Sequence, residues 1–244
     1  MSNWIKFKAP EVILNDKEIT PTPIKTEVPE WFKKLDGTKD LVKNCMPFMD
    51  TLTNGYALKL PADLEIIFND KETGETSLRC PYMHNPVFTQ KHGININDKE
   101  SVHLRHQLEG SPILNKNNNQ TIQKIVYPFT IITPPGYSCL FLPPMNNTDD
   151  RFSIIPGIVE TDKYFFETNF PFVLNGDKYN TMHTTLKKGL VFAQVIPFKR
   201  ESWKMKLEQF TKKEMKEKDN WFVKFLSKFK HKYKNTAWSK KNFS

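Results

Sequence analysis

Pro156-Gly157-Ile158-Val159-Glu160-Thr161-Asp162-Lys163-Tyr164 is followed downstream by Lys187-Lys188-Gly189-Leu190-Val191-Phe192-Ala193-Gln194-Val195-Ile196-Pro197. In the first segment a flexible glycine precedes two β-branched residues and then an acidic turn, the pattern of a short strand entering a turn. In the second, a Lys-Lys-Gly turn feeds an apolar run broken only by Gln194, the pattern of a buried strand. The two segments predict one β-hairpin or β-arch with a long excursion between its strands.

The same signals continue outward. Tyr56-Ala57-Leu58-Lys59-Leu60, Leu64-Glu65-Ile66-Ile67-Phe68, Ile125 to Ile132, Ser138 to Leu142 and Phe170 to Leu174 read as short strands. Turn formers at Asn69-Asp70 to Gly74, Pro134-Pro135-Gly136 and Asn175-Gly176-Asp177 separate them. Pro128 and Pro171 mark edges or bulges. The expectation is a mainly β protein, a β-clip or compact barrel-like body over residues 37–198. Asn115 to Gln120 is too polar for a core and predicts an exposed loop.

Residues 1–36 hold Pro10, Pro21, Pro23 and Pro29, which disfavour long helices. They predict an extended N-terminal arm wrapping the body, with a short helical turn over Pro29 to Leu35. Over 199–244 the period changes. Trp203, Leu207 and Phe210 recur at helical spacing, and Phe222, Phe225, Leu226, Phe229 and Tyr233 form a longer stripe. These predict two amphipathic helices, or one interrupted near Asp219-Asn220, with the aromatic stripe packed on the body and Lys224, Lys228, Lys232 and Lys234 in water.

The chain has 244 residues and a net charge of +9, unevenly placed. Residues 199–244 carry 15 Lys and Arg against 5 Asp and Glu, and residues 1–198 carry 21 against 22. The body is therefore near neutral, and the high isoelectric point does not describe a nucleic-acid surface on it. Contact of the basic extension with a protein partner or a second copy ranks above contact with nucleic acid or an anionic membrane. No apolar run reaches the ~20 residues of a membrane span, and Met1-Ser2-Asn3-Trp4 opens no apolar signal core, so the expected location is the cytoplasm. Cys45, Cys80 and Cys139 are an odd, unpaired set that predicts reduced, buried thiols, with Cys139 in the core.

Candidate chemistry is sparse. Cys80, His84, His92, His103 and His106 cluster in sequence, but no Cys-x-x-Cys pair or His-x-Asp motif accompanies them, and no metal site is predicted. No Gly-x-x-x-x-Gly-Lys run, dinucleotide fingerprint or nucleophile elbow occurs, and no cofactor is predicted. The most plausible polar site lies at the Gly157 turn: Glu160 and Asp162 with Arg151 and Lys163 could orient a ligand, one carboxylate acting as a general base. Turn capping by Asp and Thr is the competing explanation.

Residues 125–198, with Asn54-Gly55-Tyr56-Ala57-Leu58, resemble the trimeric dUTPase and dCTP deaminase superfamily, in which a Gly-Val-Ile-Asp-Ser-Asp-Tyr-like turn precedes a Lys-Gly-Asp-Arg-Ile-Ala-Gln-like strand. The resemblance implies a β-clip, with Glu160 as the catalytic carboxylate and Tyr164 as the aromatic near the sugar; Asp162, Arg151 and Gln194 complete the candidate ligand-binding set. The chain departs from that pattern in four places. Tyr164 sits one position later than the pattern expects, and a glycine-rich C-terminal lid motif is not found. Ala57 replaces a carboxylate, and Leu142-Pro143-Pro144-Met145-Asn146-Asn147 stands where an Arg-Ser-rich phosphate motif belongs. Pro29-Glu30-Trp31-Phe32, Cys45 to Asp50, Gly55-Tyr56 and Pro197 to Trp203 look like a family of uncharacterised proteins of bacteria and tailed bacteriophages. The 32 Lys against 4 Arg, and 20 Asn, suit an AT-rich genome of that kind. The function expected is an accessory binding or interaction protein without demonstrable catalysis; the alternative is a divergent dUTPase-like nucleotide-binding or nucleotide-hydrolysing enzyme.

Overall fold

Ile125, Tyr127, Phe129 and Ile131 alternate with less buried neighbours, and this period of two builds the longest strand, β7 (Ile122–Ile132). A computed structural model describes residues 3–38, 41–68, 77–79, 102–114, 122–226 and 232–244. Among them, β7 is flanked by β1 (Lys6–Lys8), β6 (Val102–His103) and β11 (Glu167–Leu174), and β11 also pairs with β9 (Phe152–Ile154). A second sheet runs β10 (Gly157–Val159), β8 (Tyr137–Leu142), β13 (Val191–Lys199), β3 (Tyr56–Lys59), β2 (Thr22–Pro23). A third holds β12 (Met182–Leu186), β4 (Leu64–Phe68) and β5 (Ser77–Arg79). All pairings are antiparallel.

The protein is mainly β, as the strand signals predict, and among the described residues its sheets stay open instead of closing into a barrel. The predicted hairpin between the 157 and 190 segments does not form. Both strands pair with β8, which lies between them: Val159 is opposite Cys139, and Cys139 is opposite Pro197. Similar local patterns identify strands but not their partners. Of the two proline signals, Pro128 locates an irregularity, whereas Pro171 sits in regular register in β11, a strand paired on both sides. The register of β11 against β7 shifts between Glu167 and Asn169, opposite the segment containing Pro128.

The first two sheets share one core. The Tyr127 ring meets Phe170 and Phe192 edge-on at 6.0 and 5.8 Å, and Phe141 meets Phe170 at 5.3 Å. Leu64, Ile66, Phe68 and Leu186 join the same core from the third sheet. Gly55 makes the second sheet possible. Its φ is +89°, and a Cβ there would lie 2.2 Å from the Val195 carbonyl oxygen, so only glycine admits the approach of β3 to β13.

The N-terminal arm adds β1 and β2 to two different sheets, with α1 (Glu11–Leu14) between them and α2 (Glu30–Lys33) after them. Ile13, Ile19, Ile24 and Phe32 anchor it. Next comes α3 (Met46–Thr53), with Pro47 in its first turn.

The C-terminal extension departs from expectation. Residues 201–211 form neither helix nor strand, so Trp203, Leu207 and Phe210 are not on a helix. The same stretch also places Trp203, Met205 and Leu207 two apart, and this alternation competes with the helical spacing. Lys206 and Glu208 form an ion pair, as residues two apart do on one side of an extended chain. Helix α4 (Lys212–Leu226) starts at a capping box: the Thr211 N–H donates to Glu214 Oε2 at 2.8 Å, and the Glu214 N–H donates to Thr211 Oγ1 at 3.2 Å. Every side chain from Glu201 to Val223 is exposed, so Phe222 does not pack on the body as predicted. A short α5 (Lys232–Thr236) follows, and then the chain returns to the body. There the Trp238 indole donates to both Asp50 carboxylate oxygens at 3.0 and 3.1 Å, Lys241 pairs with Asp50 at 2.5 Å, and Phe243 meets Tyr56 edge-on.

Candidate functional site

The Gly157 turn closes by main-chain bonds. The Lys163 and Tyr164 N–H groups both donate to the Glu160 carbonyl at 2.9 Å. Thr161, buried inside it, bonds Thr133 Oγ1 at 2.7 Å and donates to the Cys139 sulfur at 3.4 Å. Burial pushes the Cys139 thiol up to about 11, which makes it the inert core thiol the sequence predicts, whereas Cys45, expected to be buried as well, is exposed just ahead of α3.

Asp162 is the electrostatic centre of this end of the body. Its side chain is 6% exposed. Arg200 grips it with both nitrogens, Nη1 to Oδ1 at 2.8 Å and Nη2 to Oδ2 at 2.5 Å, and the Gly136 N–H donates to Oδ2 at 2.8 Å. The Arg200 guanidinium and then the Gly136 amide hold this carboxyl far below the usual carboxylate range, outweighing the opposing effect of burial. Arg200 Nη1 also donates to the Tyr137 carbonyl at 2.8 Å and to Ser138 Oγ at 3.0 Å. One ion pair thus ties together the 133–137 turn, the 160–164 turn and the root of the C-terminal extension.

The remaining candidates stand in separate places. Glu160 pairs with Lys163 at 3.0 Å with both side chains more than half exposed, an arrangement worth about 0–1 kcal/mol. The Tyr164 hydroxyl donates to the Glu167 carbonyl at 3.4 Å, and its ring meets Phe166 at 5.7 Å. Arg151 is committed elsewhere, its Nε and Nη2 on Asp149 and its Nη1 donating to Thr184 Oγ1 at 2.9 Å. Gln194 is fully buried. Its Oε1 accepts the Met145 N–H at 3.0 Å, and its Nε2 donates to the Thr51 and Asn54 carbonyls at 3.1 and 2.7 Å. Glu160, Asp162 and Tyr164 therefore share one turn, whereas Arg151 supports the 149–151 loop against β12 and Gln194 supports α3 against β13.

For metal binding, Cys80, His84 and His92 lie outside the described residues. His103 bonds Gln107 at 2.9 Å, and His106 lines a shallow cavity with Glu109, Gly110, Ser111 and Leu114. Among the described residues no group of three potential ligands is placed to hold a metal ion.

Two features escaped the sequence. The Asp162–Arg200 clamp joins positions far apart in the chain and has no local signature. The second is an apolar surface around it. Ile158 on β10, Phe165 and Phe166 beyond the turn, and Trp4 before β1 are each 59–69% exposed. The Asn3 side chain donates to the Tyr137 hydroxyl at 2.6 Å, which sets Trp4 at this same end. The consecutive Tyr164-Phe165-Phe166 was the available signal.

No protein-family model matches the chain, and no curated protein is similar to it. Solved structures similar to part of it include a dUTPase of Staphylococcus bacteriophage 80alpha with dUpNHpp, at 14% identity and a TM-score of 0.28, covering 38% of this chain and 69% of that one. A dUTPase from phage phi11 of S. aureus is similar at 15% identity and a TM-score of 0.27, covering 36% and 72%. Among the described residues no helix is long and apolar enough to cross a membrane.

Proposed function

We propose that this is an accessory binding protein, working in the cytoplasm through contacts with other protein surfaces rather than by turning over a substrate. One observation carries the reading: the extension from Glu201 to Val223 holds its apolar residues in water while both of its flanks are fastened to the body. Apolar surface left contiguous and uncovered on a folded protein is the usual mark of an interaction site. Glu160 and Tyr164 belong to this reading as accessible groups at the rim of the Ile158–Phe166 surface. Asp162 serves it by holding the 160–164 turn beside that surface, whereas Arg151 and Gln194 brace other parts of the body.

The rival is nucleotide hydrolysis with Glu160 as base. The test is a panel of the four canonical deoxynucleoside triphosphates and dUTP, with and without Mg2+, followed by melting temperature and diphosphate release. No turnover and no shift beyond about a degree are expected. Turnover that Glu160→Gln abolishes would overturn the proposal in favour of the enzyme.

A further inference from the structure

The C-terminal extension is joined to the body at two places, and the two joints are built differently. At the root, Arg200 prolongs β13, whose pairing with β8 runs to Lys199 opposite Tyr137. The Arg200 N–H donates to the Gly136 carbonyl at 2.8 Å, and its guanidinium spans Asp162, Ser138 and the Tyr137 carbonyl. Main chain and side chain are both committed there, around a carboxylate that is 6% exposed. The arm after Arg200 then runs through solvent, with Trp203, Met205 and Leu207 86–88% exposed.

The far joint is made almost wholly by side chains. Residues 238–244 form neither helix nor strand. Trp238 gives its indole N–H to Asp50, but its main-chain N–H, like that of Ala237, turns back to the Tyr233 carbonyl at 2.9 Å. Trp238 is thereby tied to α5. Lys241 lies 5.8 Å from the Trp238 ring and pairs with the same Asp50 carboxylate, with its own side chain 43% exposed. Lys25 donates to the Asn242 side chain at 3.4 Å, and the Tyr56 hydroxyl donates to the Ser244 carbonyl at 3.5 Å. Both distances are at the long end of hydrogen bonding. An ion pair with one partner open to water is weak and fades with salt, whereas a bidentate pair on a buried carboxylate is screened much less.

The body keeps its own structure without the far joint. Asp50 sits in α3, which is held by buried Met46 and Leu52 and by Gln194 on the Thr51 and Asn54 carbonyls. Tyr56 sits on β3 between Val195 and Pro23, with Phe7 against its ring at 5.6 Å. We propose that residues 237–244 are a releasable latch, seated on Asp50 and Tyr56, and that the extension opens there while its Arg200 root stays shut. The seat selects by chemistry: a carboxylate takes an indole N–H and an ammonium together, beside a phenol ring that takes Phe243. Closed, the latch presents Glu201–Val223 as a strap tied at both ends. Open, it lets α4 and α5 travel with the arm and uncovers Asp50 and Tyr56. This rests on the binding-protein reading above and names its regulation, since the latch sets how freely the extension meets a partner.

The experiment is heteronuclear NMR on the 15N-labelled full chain. One proton reports each joint: the Trp238 indole N–H, assigned by its loss in Trp238→Phe, and the Gly136 N–H that donates to Asp162. As salt rises from about 20 mM to about 500 mM, the Trp238 signal is expected to move toward that of a free indole while the Gly136 signal holds. Asp50→Asn removes the charge that Trp238 and Lys241 share. It should carry the Trp238 signal to the free position, with exchange of its proton against solvent about tenfold or more faster. Lys241→Gln should shift the signal the same way by less. In both variants the Gly136 signal and the melting temperature should match the wild type. Trp238 and Gly136 signals that respond together to salt would overturn the inference, as would a Trp238 signal indifferent to both variants. A melting temperature that falls by several degrees in Asp50→Asn would make this joint part of the core and overturn it equally. None of these readouts involves nucleotide turnover, so a failed latch and a failed binding-protein reading are told apart.

Discussion

The β body and the C-terminal extension contain similar apolar residues and treat them in opposite ways. In the body Phe129, Phe141, Phe170 and Phe192 are buried. In the extension Trp203, Met205, Leu207 and Phe222 face water. Apolar content is therefore not what separates core from surface here. The separation comes from whether the backbone is bound into a sheet that brings a second apolar face opposite, since burial needs two layers.

The sharpest way to break this contrast is Gly55→Ala. The added Cβ meets the Val195 carbonyl at 2.2 Å in a positive-φ conformation, so a loss of about 3–5 kcal/mol is expected in urea denaturation. Next comes Gln194→Leu, which strands the Met145 N–H and the Thr51 and Asn54 carbonyls inside the body. About 3 kcal/mol should be lost, again read by urea denaturation.

Asp162→Asn tests the seam between the two regions through pH. The Asp162 carboxyl titrates lower in the folded than in the unfolded chain, so its contribution is full above the ordinary carboxylate range and fades as pH falls through about 4 and below. A plot of melting temperature against pH should show the wild type losing an advantage over Asp162→Asn as the solution is acidified from pH 6 to pH 3. Parallel curves would mean the clamp carries no linkage.

The smallest effect belongs to the extension. A variant with Trp203→Ser, Met205→Ser and Leu207→Ser should keep the wild-type unfolding free energy to within about 0.5 kcal/mol. A larger loss would show that the arm is part of the body's core after all.

Much of the body was legible because its strands satisfy two constraints at once. Ile125 to Ile132 alternates by residue, and Pro134-Pro135-Gly136 ends it with a turn. The partners were not legible, since β10 and β13 have local patterns that suit a hairpin and only the tertiary contacts place β8 between them. At the site, the turn carrying Glu160, Asp162 and Tyr164 was readable. That Arg200 would grip Asp162 was not, because a salt bridge between distant residues leaves no trace in local spacing. Gln194 was marked as a polar interruption in an apolar strand, which is correct, but its partners are main-chain groups of Met145, Thr51 and Asn54, to which composition is blind. In the arm, Trp203, Leu207 and Phe210 fit a helix and Trp203, Met205 and Leu207 fit a strand. Eight residues are too few for periodicity to choose between them.

The return of Trp238 and Lys241 to Asp50 gives the extension the mechanics of a bow rather than a tail. Closing a loop of roughly 36 residues costs about 3 kcal/mol of chain entropy, which the Asp50 and Tyr56 contacts must offset within the folded molecule. Residues 201–223 therefore meet solvent with part of their freedom already lost, and whatever covers Trp203 has correspondingly less disorder left to remove.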